Sequence, residues 1–170
     1  MYEIDGNLSF IEIGSGTEVI SDSAQVSASS DVVDLNGLNI VGFQITTSHT
    51  DNEQACNFGA STEDDEVAYN GGIKEIQVAN SGTQQNLQSS EYWIEIDLIG
   101  STTNSSSNEL NQLLDGGDFG IGEYSFTISV TVNDGGATIP FPCSNGDSDE
   151  SVDWTIYLIA LDYTLTEVKE

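Results

Sequence analysis

Tyr124-Ser125-Phe126-Thr127-Ile128-Ser129-Val130-Thr131-Val132 carries an apolar residue at every even position and Ser or Thr at every odd one. A period of two marks a strand with one face in a core and the other in water. Tyr92, Ile94, Ile96 and Leu98 repeat the pattern and predict a second strand, with Trp93, Glu95 and Asp97 on its wet face. Shorter runs over residues 8–13, 18–20, 24–28, 38–47, 66–69 and 73–79 read the same way. Clusters of Gly, Asn, Asp and Ser between them supply turn chemistry, and Gly14-Ser15-Gly16 reads as one such turn. Gly42, inside Ile40-Val41-Gly42-Phe43, points to a bulge or a close backbone approach.

The last segment, residues 154–165, is apolar on both faces. Trp154, Ile156, Leu158 and Ala160 form one face, while Tyr157, Ile159, Leu161, Tyr163 and Leu165 form the other. Such a strand lies beneath a second layer, faces a neighbouring subunit, or crosses between two sheets. The subunit reading makes Trp154, Tyr157, Ile159 and Tyr163 interface candidates.

One helix is expected. Ser106-Ser107-Asn108-Glu109 has the form of a capping box, Leu110, Leu113 and Leu114 follow at helical spacing, and Gly116-Gly117 ends the turn. Its leucines are expected to tuck onto a sheet. Pro140 and Pro142 mark an edge or loop. The whole chain, residues 1–170, therefore reads as one all-β domain: a single antiparallel β-sandwich or jelly-roll barrel of about eight to ten strands with one short helix. An antibody-type sandwich places a Tyr two residues before its second Cys, and here Phe141 stands two before Cys143. The jelly roll is the better expectation.

Charge narrows the function. Lys74 and Lys169 are the only bases against 29 acids, Arg is absent, and the net charge is −27. Against average composition the chain has about 8 acids too many and about 19 bases too few, so the charge comes mainly from missing bases. Nucleic-acid backbones and anionic lipid surfaces need clustered Lys and Arg, so neither is an expected partner. Bidentate phosphate clamps are excluded for the same reason. A strongly anionic chain repels itself, and salt is the simplest remedy: at about 1 M the screening length falls to about 3 Å. No apolar run is long enough to span a membrane as a helix. The start Met1-Tyr2-Glu3-Ile4-Asp5 lacks a basic and an apolar region, so an unprocessed start without a secretory signal is expected.

Sites are sparse. Cys56 and Cys143 read as one disulfide or as two buried thiols, and neither has the CxxC spacing of a zinc site. Acidic clusters at Glu63-Asp64-Asp65-Glu66 and around Asp147, Asp149, Glu150 and Asp153 are candidate sites for calcium or another cation, the alternative being solvated acidic loops. The second cluster starts like an EF-hand, with Asn145, Asp147 and Asp149 at alternate positions, but Glu150 and Ile156 stand where the loop needs Gly and Glu. His49 is the only histidine, and nothing around Cys56 resembles a nucleophile motif. No GxSxG occurs, so no catalytic residue is assigned and the expected class is not an enzyme. Any two of 29 carboxylates suit glycoside hydrolysis, which makes that signal uninformative.

An acidic, nearly base-free chain with alternating strands at residues 91–99 and 122–132 and a two-faced terminal strand resembles a virion structural protein from a saline environment. In size and expected fold it is similar to the single jelly-roll capsid subunits of halophilic icosahedral archaeal viruses. That resemblance implies upright β-barrels forming a shell around an internal membrane, without contact to the genome. The partners it implies are other copies of the chain and other virion proteins, in a homo-oligomeric assembly located in the virion. The absence of Arg departs from it, because haloarchaeal proteins usually replace Lys with Arg. A phage decoration, turret or tail protein is one alternative. Another is a calcium-dependent adhesive or carbohydrate-binding sandwich, extracellular or on a cell surface.

Overall fold

The computed structural model describes residues 1–50, 64–133 and 148–169. Nine strands and one helix follow in order: β1 (Tyr2–Ile20), β2 (Ser23–Ser29), β3 (Ile40–His49), β4 (Glu66–Ile73), β5 (Ile76–Gly82), β6 (Asn86–Tyr92), β7 (Thr102–Thr103), α1 (Ser107–Leu114), β8 (Glu123–Thr131) and β9 (Glu150–Glu167). Apart from the two-residue β7, the pairing is nested. The first strand pairs with the last, β2 with β8, β3 with β6, and β4 with β5, all antiparallel. This folded ribbon then wraps so that β3 also pairs with β9 and β4 with β8. The result is two facing sheets, β6-β3-β9-β1-β7 and β2-β8-β4-β5. That wiring is a jelly roll, as the sequence predicts.

The alternation in β8 is realised residue by residue. Tyr124, Phe126, Ile128 and Val130 are buried between the sheets, where Tyr124 and Phe126 meet Phe43 edge-on at 5.5 and 5.9 Å between ring centres. Gly42 fulfils both readings: the β3–β9 register shifts between Ile40 and Gly42, and a Cβ there would stand 2.4 Å from the Glu91 carbonyl oxygen.

Three expectations need correction. Residues 8–13 and 18–20 belong to one 19-residue strand, because Gly14-Ser15-Gly16 does not turn. The strand passes through with a register shift between Glu12 and Gly14, and the glycines leave room for a neighbour. A Cβ on Gly14 would lie 2.6 Å from that of Ala28, and one on Gly16 would meet the Trp154 ring at 3.1 Å. Residues 73–79 are two strands, since Lys74 takes a positive φ of 51° and reverses the chain into β5. Residues 92–98 are not a strand. β6 stops at Tyr92, Trp93 turns inward to donate its indole N–H to the Ile40 carbonyl at 3.1 Å, and Ile96–Leu98 forms a 3-10 turn.

β9 explains its own two-faced sequence. Near its start it buries Trp154, Ile156 and Leu158 in the core between the sheets. Further on it buries Ile159 and Leu161 on the opposite face, in a second core with Ile4, Val41, Leu110 and Leu114. There α1 lies on the outer side of the five-stranded sheet, so the second layer is part of the same chain. The opposite face of that stretch, with Asp5, Asn7 and Ser9 of β1 beside Asp162 and Thr164 of β9, is exposed. The long β1–β9 ribbon thus changes the face it buries partway along.

α1 bears its capping box: Ser106 Oγ accepts from the Glu109 N–H at 3.3 Å, and the Glu109 carboxylate accepts from the Ser106 N–H at 2.9 Å. Leu110 and Leu114 are buried, whereas Leu113 points outward. Asn39 holds the other end, donating to the Leu114 carbonyl at 2.7 Å and accepting from the Gly116 N–H at 2.8 Å.

Candidate interaction surface

The alternation that buries one face of the four-stranded sheet builds the other face at the same time. Cross-strand register sorts that outer face into three rows running β2-β8-β4-β5. The first is Ser23, Ser129, Ala68, Ser81; the second is Gln25, Thr127, Asn70, Ala79; the third is Ser27, Ser125, Gly72, Gln77. None of these positions is charged. At the chain-wide 18% charged, about two carboxylates would be expected among them, and exposed positions ordinarily carry more. The nearest on this face stand beyond the rows, Glu66 opposite Thr131 and Glu123 opposite Ser29. A shallow trough of about 490 Å³ opens between Asn70, Ala79, Thr127 and Ser129. Its chemistry is hydroxyl, amide and methyl, able to exchange hydrogen bonds without desolvating a charge.

The opposite sheet differs. Its outer surface combines Glu12 and Asp153 with Phe10, which is 48% exposed and meets Tyr157 edge-on at 6.4 Å. Leu8 is exposed beside them.

The interface candidates read from the sequence separate here. Trp154 is buried in the main core, its ring over Gly16. Ile159 is buried in the second core. Tyr163 donates its hydroxyl to the Asn111 side chain of α1 at 2.9 Å, and burial together with the nearby Asp115 carboxylate raises its pKa. Tyr157 and Tyr163 are both half-buried and border open surface. Trp154 and Ile159 thus line the two internal cores.

The cation candidates separate as well. Asp147 lies outside the described residues, as do Glu63, Asn145, Cys56, Cys143, Pro140 and Pro142. Glu150 is buried on the core side of β9, where its Oε1 accepts from the Ser151 N–H at 3.1 Å. Asp153, three positions on, is on the opposite face and accepts from the Thr17 hydroxyl. An odd spacing on a strand sends two side chains to opposite faces, so Glu150 and Asp153 do not converge. Asp65, of the other acidic cluster, is buried and accepts from the Asn133 N–H at 2.8 Å, joining the ends of β4 and β8. No group of three metal-ligating side chains occurs among the described residues. His49 is buried at the end of β3.

The bases are few and Lys74 is occupied. Its ammonium donates to the Phe119 carbonyl at 2.7 Å and stands 4.9 Å from the centre of the Phe119 ring. Trp93 packs on Phe119 at 5.2 Å and fills the space beside Gly116 and Gly120, so it is a structural residue and not a wet-face platform.

Sequence reasoning missed the uncharged face, although its signal was present. The Ser and Thr residues alternating with the apolar residues of β8 read as an ordinary wet face; only the cross-strand register shows that three further strands extend it. Compared by sequence, the chain matches no protein-family model and no curated protein.

Proposed function

We propose that this chain is a virion structural subunit, a capsid or capsid-associated protein, that works by symmetric self-assembly in a saline medium. The observation that carries the reading is the uncharged outer face of the four-stranded sheet. Two copies that each carry −27 repel wherever carboxylate meets carboxylate, and the three rows of this face carry none. Salt at about 1 M shortens the reach of the remaining charges to about 3 Å, so assembly rises with ionic strength. The jelly-roll wiring supports the capsid class by analogy of fold, which is weaker support than the charge distribution.

The test is a carboxylate placed at the centre of the rows. Thr127→Glu puts a charge between Gln25 and Asn70. Light scattering at about 1 M salt is expected to report large assemblies for the unaltered chain and a much smaller mean mass for the variant. Equal scattering from the two would remove this face from the reading.

A further inference from the structure

β2 is an outermost strand. Its one ladder partner among the described residues is β8, and the seven pairs from Ser23–Ser129 to Ser29–Glu123 run without a register shift. Among the described residues no strand pairs with the backbone N–H and C=O groups of its other flank. Edge strands of soluble proteins are ordinarily guarded by Lys, Pro, a bulge or an inward charge, which prevent another strand from adding on. Ser23-Ala24-Gln25-Val26-Ser27-Ala28-Ser29 has none of these.

The remaining edges are short, carry a charge or lean on another strand. β7 is only two residues long, and β6 carries Glu91. The flank of β1 beyond β7 carries Asp5, Glu12 and Glu18. β5 leans on β6, where the Asn80 side chain donates to the Gln88 carbonyl at 3.4 Å. β1 touches β2 through inward positions, Gly14 against Ala28, with no ladder between the two strands.

We infer that β2 is the strand through which two copies of this chain join, edge to edge and antiparallel, making one continuous eight-stranded sheet from two four-stranded ones. The inference rests on the self-assembly reading above and names the contact it uses. The occupant is a second copy because of charge. An antiparallel β2–β2 pair is isologous, so each copy offers the other the same uncharged strand. Gln25 and Ser27 of one copy lie beside Gln25 and Ser27 of the next, and the described carboxylates nearest the joint stand at the strand ends, at Asp22, Asp31 and Glu123. Those end charges make the joint dependent on salt. Joining also extends the uncharged rows of both copies into one wider surface.

The test uses the full chain in about 1 M sodium chloride, with mass read by sedimentation equilibrium. Gln25 and Ser27 are exposed, so the fold has room for longer side chains there. The double variant Gln25→Glu with Ser27→Glu is expected to weaken association at least about tenfold by setting like charges across the joint. Mixing it with Gln25→Lys plus Ser27→Lys restores association. Gln88→Glu, on the other sheet, leaves it unchanged. Hydrogen exchange on the unaltered chain provides a second readout: β2 amides gain protection as salt drives association. Association of the double-Glu variant at wild-type strength, or β2 amides that gain no protection on association, overturns the edge joint and leaves self-assembly standing. An unaltered chain that stays at 18.1 kDa overturns both.

Discussion

Leu158 and Ile159 are consecutive residues of β9, both fully buried, and they lie in different cores. Leu158 fills the space between the sheets, while Ile159 packs under α1. Truncating either leaves a cavity, and each substitution to Ala is expected to cost about 2–5 kcal/mol. The consequences differ in location. Ile159→Ala loosens α1 and exposes residues 93–122 to protease before the sandwich melts, whereas Leu158→Ala lowers the global melting temperature without that early cleavage. Limited proteolysis alongside thermal melts distinguishes them; identical cleavage patterns would contradict the two-core description.

Gly14 faces Ala28 with no space for another methyl, a built Cβ coming within 2.6 Å. Gly14→Ala is expected to destabilise by about 1–3 kcal/mol through overpacking. Adding Ala28→Gly returns part of the loss. Chemical denaturation of the two single variants and the double measures the coupling; additive losses would mean that the residues do not meet.

How much was legible in the sequence follows from which residues had a single job. β8 was readable because each apolar residue faces one core and each Ser or Thr faces water. The capping box was readable because Ser106 and Glu109 act within four positions of each other. β9 was ambiguous because its second face is covered by a helix whose packing no local pattern encodes. Ile94 and Leu98 alternate as a strand would, yet they serve the second core from a bend and the 3-10 turn after it, and burial alone cannot set that difference. β6 gave almost no signal, since Leu87 is its only buried apolar residue. The uncharged face needed the register of four strands, which no one strand contains.

The capping box has a pH signature. Hydrogen bonds from the Ser106 backbone and hydroxyl hold the Glu109 carboxyl below its usual pKa. A depressed folded-state pKa contributes stability above the unfolded value, about 4.3, and loses it as pH falls through the folded value. Glu109→Gln is therefore expected to be less stable than the unaltered chain at pH 7 and to converge with it in acid. Ser106→Ala costs about 1 kcal/mol at neutral pH. Melting curves from pH 7 downward check both; a gap that persists undiminished in acid would contradict the ionised cap.

Tyr124 titrates in the other direction. Burial raises its pKa, and its hydroxyl donates to the Gly120 carbonyl at 2.8 Å. A raised folded-state value favours the protonated phenol in the native state. Its contribution is complete below the unfolded value of about 10 and is lost as pH climbs above it. Tyr124→Phe loses the hydrogen bond, about 1 kcal/mol at pH 8, and its deficit relative to the unaltered chain shrinks above about pH 10. Denaturant midpoints at pH 8 and pH 11 test the sign.

On the proposed reading, a base-depleted jelly roll associates with itself once salt screens its carboxylates. Sedimentation velocity of the unaltered chain, taken from millimolar salt to about 1 M and returned by dialysis, tests it most directly. The expected result is 18.1 kDa in dilute salt, a mass that grows with salt, and reversal on dialysis. A chain that sediments at 18.1 kDa at every salt concentration would contradict it.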